Sequence, residues 1–217
     1  MSESSPDPEW SPTLLLKAGP FAALGVAALW LARHFYDLPE RLAIHWSWRG
    51  QPDGFVERSG TSAALPLLIG LLVCVLLAAF QAGLRRSVPG GAMRAATVKV
   101  LLAGEYFTAF ICCGVLAATA TSGRLLKPVL SLAFAAVIGL VAFAAYAARG
   151  IPREPIRNPS AWRAGLFYVD RDDPALFVPK RSGFGYTFNF GHPAALLLTL
   201  ATLVVPLAIL LAALLLR

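Results

Sequence analysis

The sequence predicts an all-α integral membrane protein: five transmembrane helices with a small cytoplasmic, aromatic-rich cap. Three observations carry this. The chain is 57% hydrophobic and only 14% charged, against about 25% charged residues in a soluble domain, and ionised groups are costly where a surface faces lipid. The apolar residues gather in runs long enough to cross a bilayer. The polar and aromatic residues gather in two stretches, 38–58 and 150–191.

A helix rises about 1.5 Å per residue, so about 20 apolar residues cover about 30 Å of hydrocarbon. Runs at 14–35, 62–82, 98–118, 128–148 and 193–216 meet that length. Backbone polar groups cannot stay open in lipid, so each run is predicted as a helix. Lys17 lies near the start of the first, where its long side chain reaches the interface. Arg85 and Arg86 close the second run and Arg149 the fourth. Pro206, near the middle of the fifth, removes a backbone donor and bends the helix.

The chain thus divides into a flexible tail at 1–13 and two helices over 14–82 with a polar loop at 36–61. Two more helices follow over 83–149, then a polar segment at 150–192 and a last helix over 193–217. The tail is acidic and rich in Pro and Ser. A secretory signal starts basic, so this start reads as the lead into an uncleaved anchor helix.

Lys and Arg in the connections set orientation. With five spans, twelve fall on the side of the tail and the 150–192 segment, and seven on the other. That bias places the N-terminus and the 150–192 segment in the cytoplasm, and the 36–61 loop and the C-terminus outside. Cys74, Cys112 and Cys113 lie inside apolar runs. They read as small packing residues, with no disulfide framework or zinc knuckle.

The first polar loop holds His45, Trp46, Trp48 and Asp53. Gln51-Pro52-Asp53-Gly54 reads as a turn, since Pro fixes one φ and Gly permits a positive one. Trp46 and Trp48 alternate as on one face of a short strand. They are headgroup-level anchors or a peptide-binding surface, and the preference of Trp for the headgroup level favours the first. His45 with Glu40, Asp53 or Glu57 matches no zinc spacing, so a loop-organising hydrogen bond or a binding contact outranks a metal.

The order Leu38-Pro39, Ile44-His45-Trp46, Gly50-Gln51-Pro52-Asp53-Gly54-Phe55 and Arg58 resembles the DUF1648 domain. That domain occurs in bacterial membrane proteins, including SdpI-like immunity proteins. Ser47 stands where the family usually has Asn, and Arg58 where it often has Lys.

The second polar segment opens with a Pro- and Arg-rich strip. Arg149, Arg153 and Arg157 beside a membrane exit suit anionic headgroups, at about 1 kcal/mol each. Aromatic residues follow, with short strands expected at 166–169 and 186–190 and a turn at Asp172-Asp173-Pro174. Phe167-Tyr168, Asp172-Asp173-Pro174, Phe177-Val178-Pro179-Lys180-Arg181 and the run from Gly185 to Gly191 resemble the DUF5808 domain. Asp170-Arg171 stands where that family often has Asn-Pro. Neither resemblance implies a reaction, so no catalytic residue is carried over. Tyr168, Asp172, Asp173, Lys180, Arg181 and Asn189 are the candidates for contact with a cytoplasmic protein partner. Lys180-Arg181 is a short basic run beside a membrane, which points to lipid rather than nucleic acid. The glycines around it form no dinucleotide fingerprint.

Glu105 is the most unusual residue, a carboxyl group inside a span. Such groups cost about 2.5–3.5 kcal/mol at the membrane centre and mark functional sites. One reading is a proton or cation relay. The other is a buried hydrogen bond to Tyr106, Thr108 or another helix, favoured because a lone carboxylate makes a poor pathway.

No metal, cofactor or enzymatic constellation is expected, because no paired acid and base or nucleophile–base pair falls on one side of the membrane. The leading expectation is a non-enzymatic sensor or immunity-type protein of the bacterial cytoplasmic membrane. His45, Trp46, Trp48 and Asp53 would meet a peptide or envelope ligand. The alternative is a small transporter or transporter subunit using Glu105.

Overall fold

The computed structural model describes residues 12–152, 155–200 and 204. Among the described residues, four helices are long and apolar enough to cross a membrane. They are α1 (Leu14–His34), α2 (Gly60–Ser87), α3 (Ala92–Ala120) and α4 (Leu126–Ala148). α2 and α3 run past the predicted apolar stretches at both ends, because the flanking polar residues continue the helical turns. Residues 193–200 are also helical. Nearly all the rest of the expected fifth span, Pro206 included, lies outside the described residues, as does the tail up to residue 11.

Local chemistry sets the helix ends. The Thr13 hydroxyl accepts from the Leu16 amide at 3.4 Å where α1 begins. Ser59 and Ser62 exchange side-chain and backbone bonds of 3.0 and 2.8 Å, a capping box that starts α2 directly after the polar loop. Arg58 holds the far end of α1. Its Nη1 donates to the Tyr36 carbonyl at 2.8 Å and the Leu38 carbonyl at 2.5 Å, while the guanidinium lies 5.5 Å from the Phe35 ring.

α3 is the hub, packed against α1, α2 and α4. Leu24, Leu31, Leu67, Cys74, Ala109, Cys112 and Leu116 form the core between α1, α2 and α3. Lipid tails are as apolar as leucine, so helices associate in a membrane by close fit. Gly70 supplies that fit, since a Cβ there would stand 2.9 Å from Cys112 and 3.1 Å from Leu24. α4 flanks α3 with Leu126 as its one buried residue, leaving its apolar sides open to lipid.

The all-α expectation needs amending, because the polar stretches fold into three two-stranded antiparallel sheets. β1 (Arg41–Trp46) pairs with β2 (Pro52–Glu57) between α1 and α2. After α4, β3 (Trp162–Arg163) pairs with β4 (Phe167–Tyr168), and β5 (Phe177–Pro179) with β6 (Tyr186–Phe188). Strands do fall at the two places expected in this segment. Their partners β3 and β5 were not anticipated, because two or three residues carry no readable alternation. Trp46 ends β1 and Trp48 lies in the turn beyond it, so the two do not share a strand face. The register also slips around His45, where a bulge turns the strand.

The hairpin and the β3–β6 cap stand at opposite ends of the helices. β1 meets α3 near its last turn. Phe177 and Tyr186 of the cap pack on Leu84 of α2 and Met93 of α3.

Candidate functional site

At the hairpin end, Leu42 and Ala43 are buried. The Thr119 hydroxyl of α3 donates to the Ala43 carbonyl at 3.1 Å. Trp46 rests on Gly123 in the turn before α4. That glycine has φ +86°, and a Cβ on it would stand 2.8 Å from the Trp46 Nε1. Glycine therefore supplies both the left-handed turn and the room for the indole. Behind the hairpin tip lies a cavity of about 410 Å³, lined by His45, Trp46, Trp48, Arg49, Lys127 and their neighbours. Aromatic rings beside two cations suit an amphipathic ligand or a headgroup. His45 Nδ1 and Asp53 Oδ1 lie 2.5 Å apart, an exposed bond that ties β1 to β2. The structure thus brings His45, Trp46 and Trp48 to one cavity and leaves Asp53 on the hairpin as the partner of His45.

Inside the bundle, Glu105 is 1% exposed. Its Oε1 accepts a hydrogen bond from Gln81 of α2. Its sequence neighbours bond elsewhere: the Tyr106 hydroxyl donates to the Leu16 carbonyl and the Thr108 hydroxyl to the Gly104 carbonyl, both at 2.9 Å. A cavity of about 150 Å³ beside Glu105 is lined by Lys17, Phe21, Ala78, Gln81, Ala82 and Arg85. Sequence reasoning missed Gln81. It stands out as an amide in an apolar run, but its pairing with Glu105 depends on the register between two helices.

At the cap end, Asn189 is fully buried and uses its whole amide. Oδ1 accepts from the Asp170 and Gly191 amides at 3.0 and 2.9 Å, and Nδ2 donates to the Asp170 and Asp173 carbonyls at 2.7 and 2.9 Å. Tyr168 is also fully buried, and its hydroxyl donates to Asp173 at 2.9 Å. Burial, with Asp173 and Asp170 alongside, holds this phenol well above its usual range. Arg157 grips the same Asp173 carboxylate at 2.7 and 2.8 Å. The hydrogen bond from Asn158 holds the Asp170 carboxyl below its usual range.

Tyr168 and Asn189 are therefore placed inside the cap, where a partner would not touch them; their polar atoms are spent on the cap's own backbone and acids. Asp173 is mostly enclosed by the same bonds. Asp172, Lys180 and Arg181 remain exposed. Among the described residues, no group of three or more His, Cys, Asp and Glu could hold a metal ion.

Comparison with known families matches both polar stretches. The model described as "Domain of unknown function (DUF1648)" matches residues 22–70, covering most of α1, the hairpin and the start of α2. The model described as "Family of unknown function (DUF5808)" matches residues 171–196, from the acidic turn through β5 and β6. No curated protein and no solved structure matches the chain significantly. The chain is a membrane protein that carries a DUF1648 domain followed by a DUF5808 domain.

Proposed function

We propose that the protein is a non-enzymatic, immunity-type sensor of the bacterial cytoplasmic membrane. In this reading the hairpin faces outward and meets a peptide or envelope ligand, and the cap faces the cytoplasm and meets a protein partner. The carrying observation is that one helix, α3, touches both modules: Thr119 holds the hairpin near one end and Met93 lies under the cap at the other. At about 1.5 Å per residue, α3 spans about 40 Å between them, so a shift in the hairpin has a rigid element to move. The excess of Lys and Arg on the cap side supports the orientation.

Site-specific photo-crosslinking in native membranes tests this, with probes replacing Trp48, which is 89% exposed, and Leu166, which is 71% exposed. A discrete peptide at the first or a protein at the second supports the reading. Lipid alone at both counts against it.

Transport is the second reading, favoured by the cavity beside Glu105. It expects Glu105→Gln to abolish flux in vesicles while the protein still inserts; undiminished flux would remove it.

A further inference from the structure

The seam between α1 and α2 has two adjacent parts of different chemistry. The part beside Glu105, about 150 Å³, sets Lys17, Gln81 and Arg85 among Phe21, Ala78 and Ala82. The other is an apolar groove of about 570 Å³ that runs from Phe21 past Leu24, Ala28 and Leu31 to Tyr36. Phe21 lines both, so the two parts are neighbours along the seam.

We propose that this seam holds one membrane phospholipid with a primary-amine headgroup. Its phosphate lies against Lys17 and Arg85, its ammonium against Glu105, and an acyl chain along the apolar groove. The polar end offers both signs of charge to such a headgroup. Arg85 Nη2 is buried with no hydrogen-bond partner, and a phosphate oxygen accepts from guanidinium in the strongest class of hydrogen bond. Gln81 donates to Glu105 Oε1, and an ionised carboxylate can accept further donors on both oxygens. An ammonium supplies such a donor. A zwitterion sets an opposite charge beside both the cations and the carboxyl group, whereas a purely anionic headgroup leaves the carboxyl group without one. A choline headgroup has no N–H and cannot donate to Glu105. The apolar groove then accounts for the rest of the ligand: Gly25, Ala28, Ala32 and Ala64 along it leave the width a chain needs. This inference does not depend on the sensor reading, since it concerns α1 and α2 rather than the hairpin tip.

The test uses the full chain, delipidated in detergent and offered an equimolar mixture of phosphatidylethanolamine, phosphatidylcholine and phosphatidylglycerol with identical acyl chains. Native mass spectrometry reads what is retained. The expected result is one phosphatidylethanolamine per chain, favoured about tenfold over phosphatidylcholine, the size of one charge-assisted hydrogen bond. Glu105→Gln keeps a carbonyl for Gln81 and should erase that preference, whereas Arg85→Gln should lower retention of all three lipids. Equal retention of the three by the wild-type chain, or a preference for phosphatidylglycerol, overturns the proposal. A photo-crosslinker replacing Ala28 gives a second readout that needs no change at the polar end. Capture of the lipid supports the seam; capture of a peptide from residues 201–217 shows that the chain itself fills the groove and overturns it.

Discussion

The Thr119 hydroxyl reaches across 76 residues of sequence to the Ala43 carbonyl, at 3.1 Å, and both residues are buried. This bond fastens the hairpin to the helix that also meets the cap. Thr119→Val keeps the shape of the side chain and strands the carbonyl, which costs about 1–3 kcal/mol. The hairpin amides from Leu42 to Trp46 should then exchange hydrogen faster, while amides of α2 and α3 keep their protection. Thr119→Ser retains the hydroxyl and should behave as wild type. Equal protection in the Val variant would show that the hairpin is held by its apolar contacts alone.

Asn189 organises the cap in the same way, with four hydrogen bonds to backbone groups between Asp170 and Gly191. Asn189→Ala leaves those groups unpaired inside the cap and should cost about 3 kcal/mol or more. Proteolysis between residues 157 and 191 should become rapid, with the helices left intact. Tyr168→Phe removes only the hydroxyl and should cost about 1 kcal/mol, so its cap should resist the same protease. A stable cap in the Asn189 variant would assign the cap's order to Trp162, Tyr168 and Val178 packing instead.

The parts legible in the sequence are those governed by length and local chemistry. Runs such as 128–148 announce a helix because lipid tolerates little else, and Arg58 could be seen closing the loop motif. What depends on register was hidden. Gln81 and Glu105 lie 24 positions apart and meet only because α2 and α3 pack with those faces together. The cap candidates show the same limit from the other side. Tyr168 and Asn189 look like exposed contact residues in an aromatic, polar stretch, and nothing local states that their polar groups turn inward. The β1–β2 hairpin was barely legible. Gln51-Pro52-Asp53-Gly54 reads as a turn, yet Pro52–Gly54 belong to β2 and the chain turns at 47–50, where Gly50 takes the positive φ. The bulge at His45 also breaks the alternation that marks a strand.

Acid should loosen the cap through Asp170. Its folded pKa lies below the ordinary value of 3.8, chiefly because Asn158 donates to it at 2.6 Å. A depressed carboxyl contributes its stability above the unfolded pKa, and that contribution is lost as pH falls through the folded one. Protection factors for amides 158–191 should therefore hold down to about pH 4 and fall below it. Asp170→Asn removes the titrating group, so its protection factors should lose this acid-dependent step. A wild-type profile flat to pH 2 would mean that Asp170 is not coupled to cap folding.

Trp46 gives the hairpin an optical reporter. Gly123→Ala places a methyl group where the indole Nε1 lies 2.8 Å away, at a residue whose φ of +86° disfavours any side chain. The strain alone costs about 1 kcal/mol, and the indole must also move. In a chain whose other four tryptophans, Trp10, Trp30, Trp48 and Trp162, are Phe, the substitution should shift Trp46 emission to longer wavelength and raise its quenching by acrylamide. Gly139→Ala is the control, because nothing lies within 4 Å of a Cβ at that position of α4. If both variants leave the emission unchanged, Trp46 does not rest on the α3–α4 turn, and the hairpin is docked by Thr119 alone.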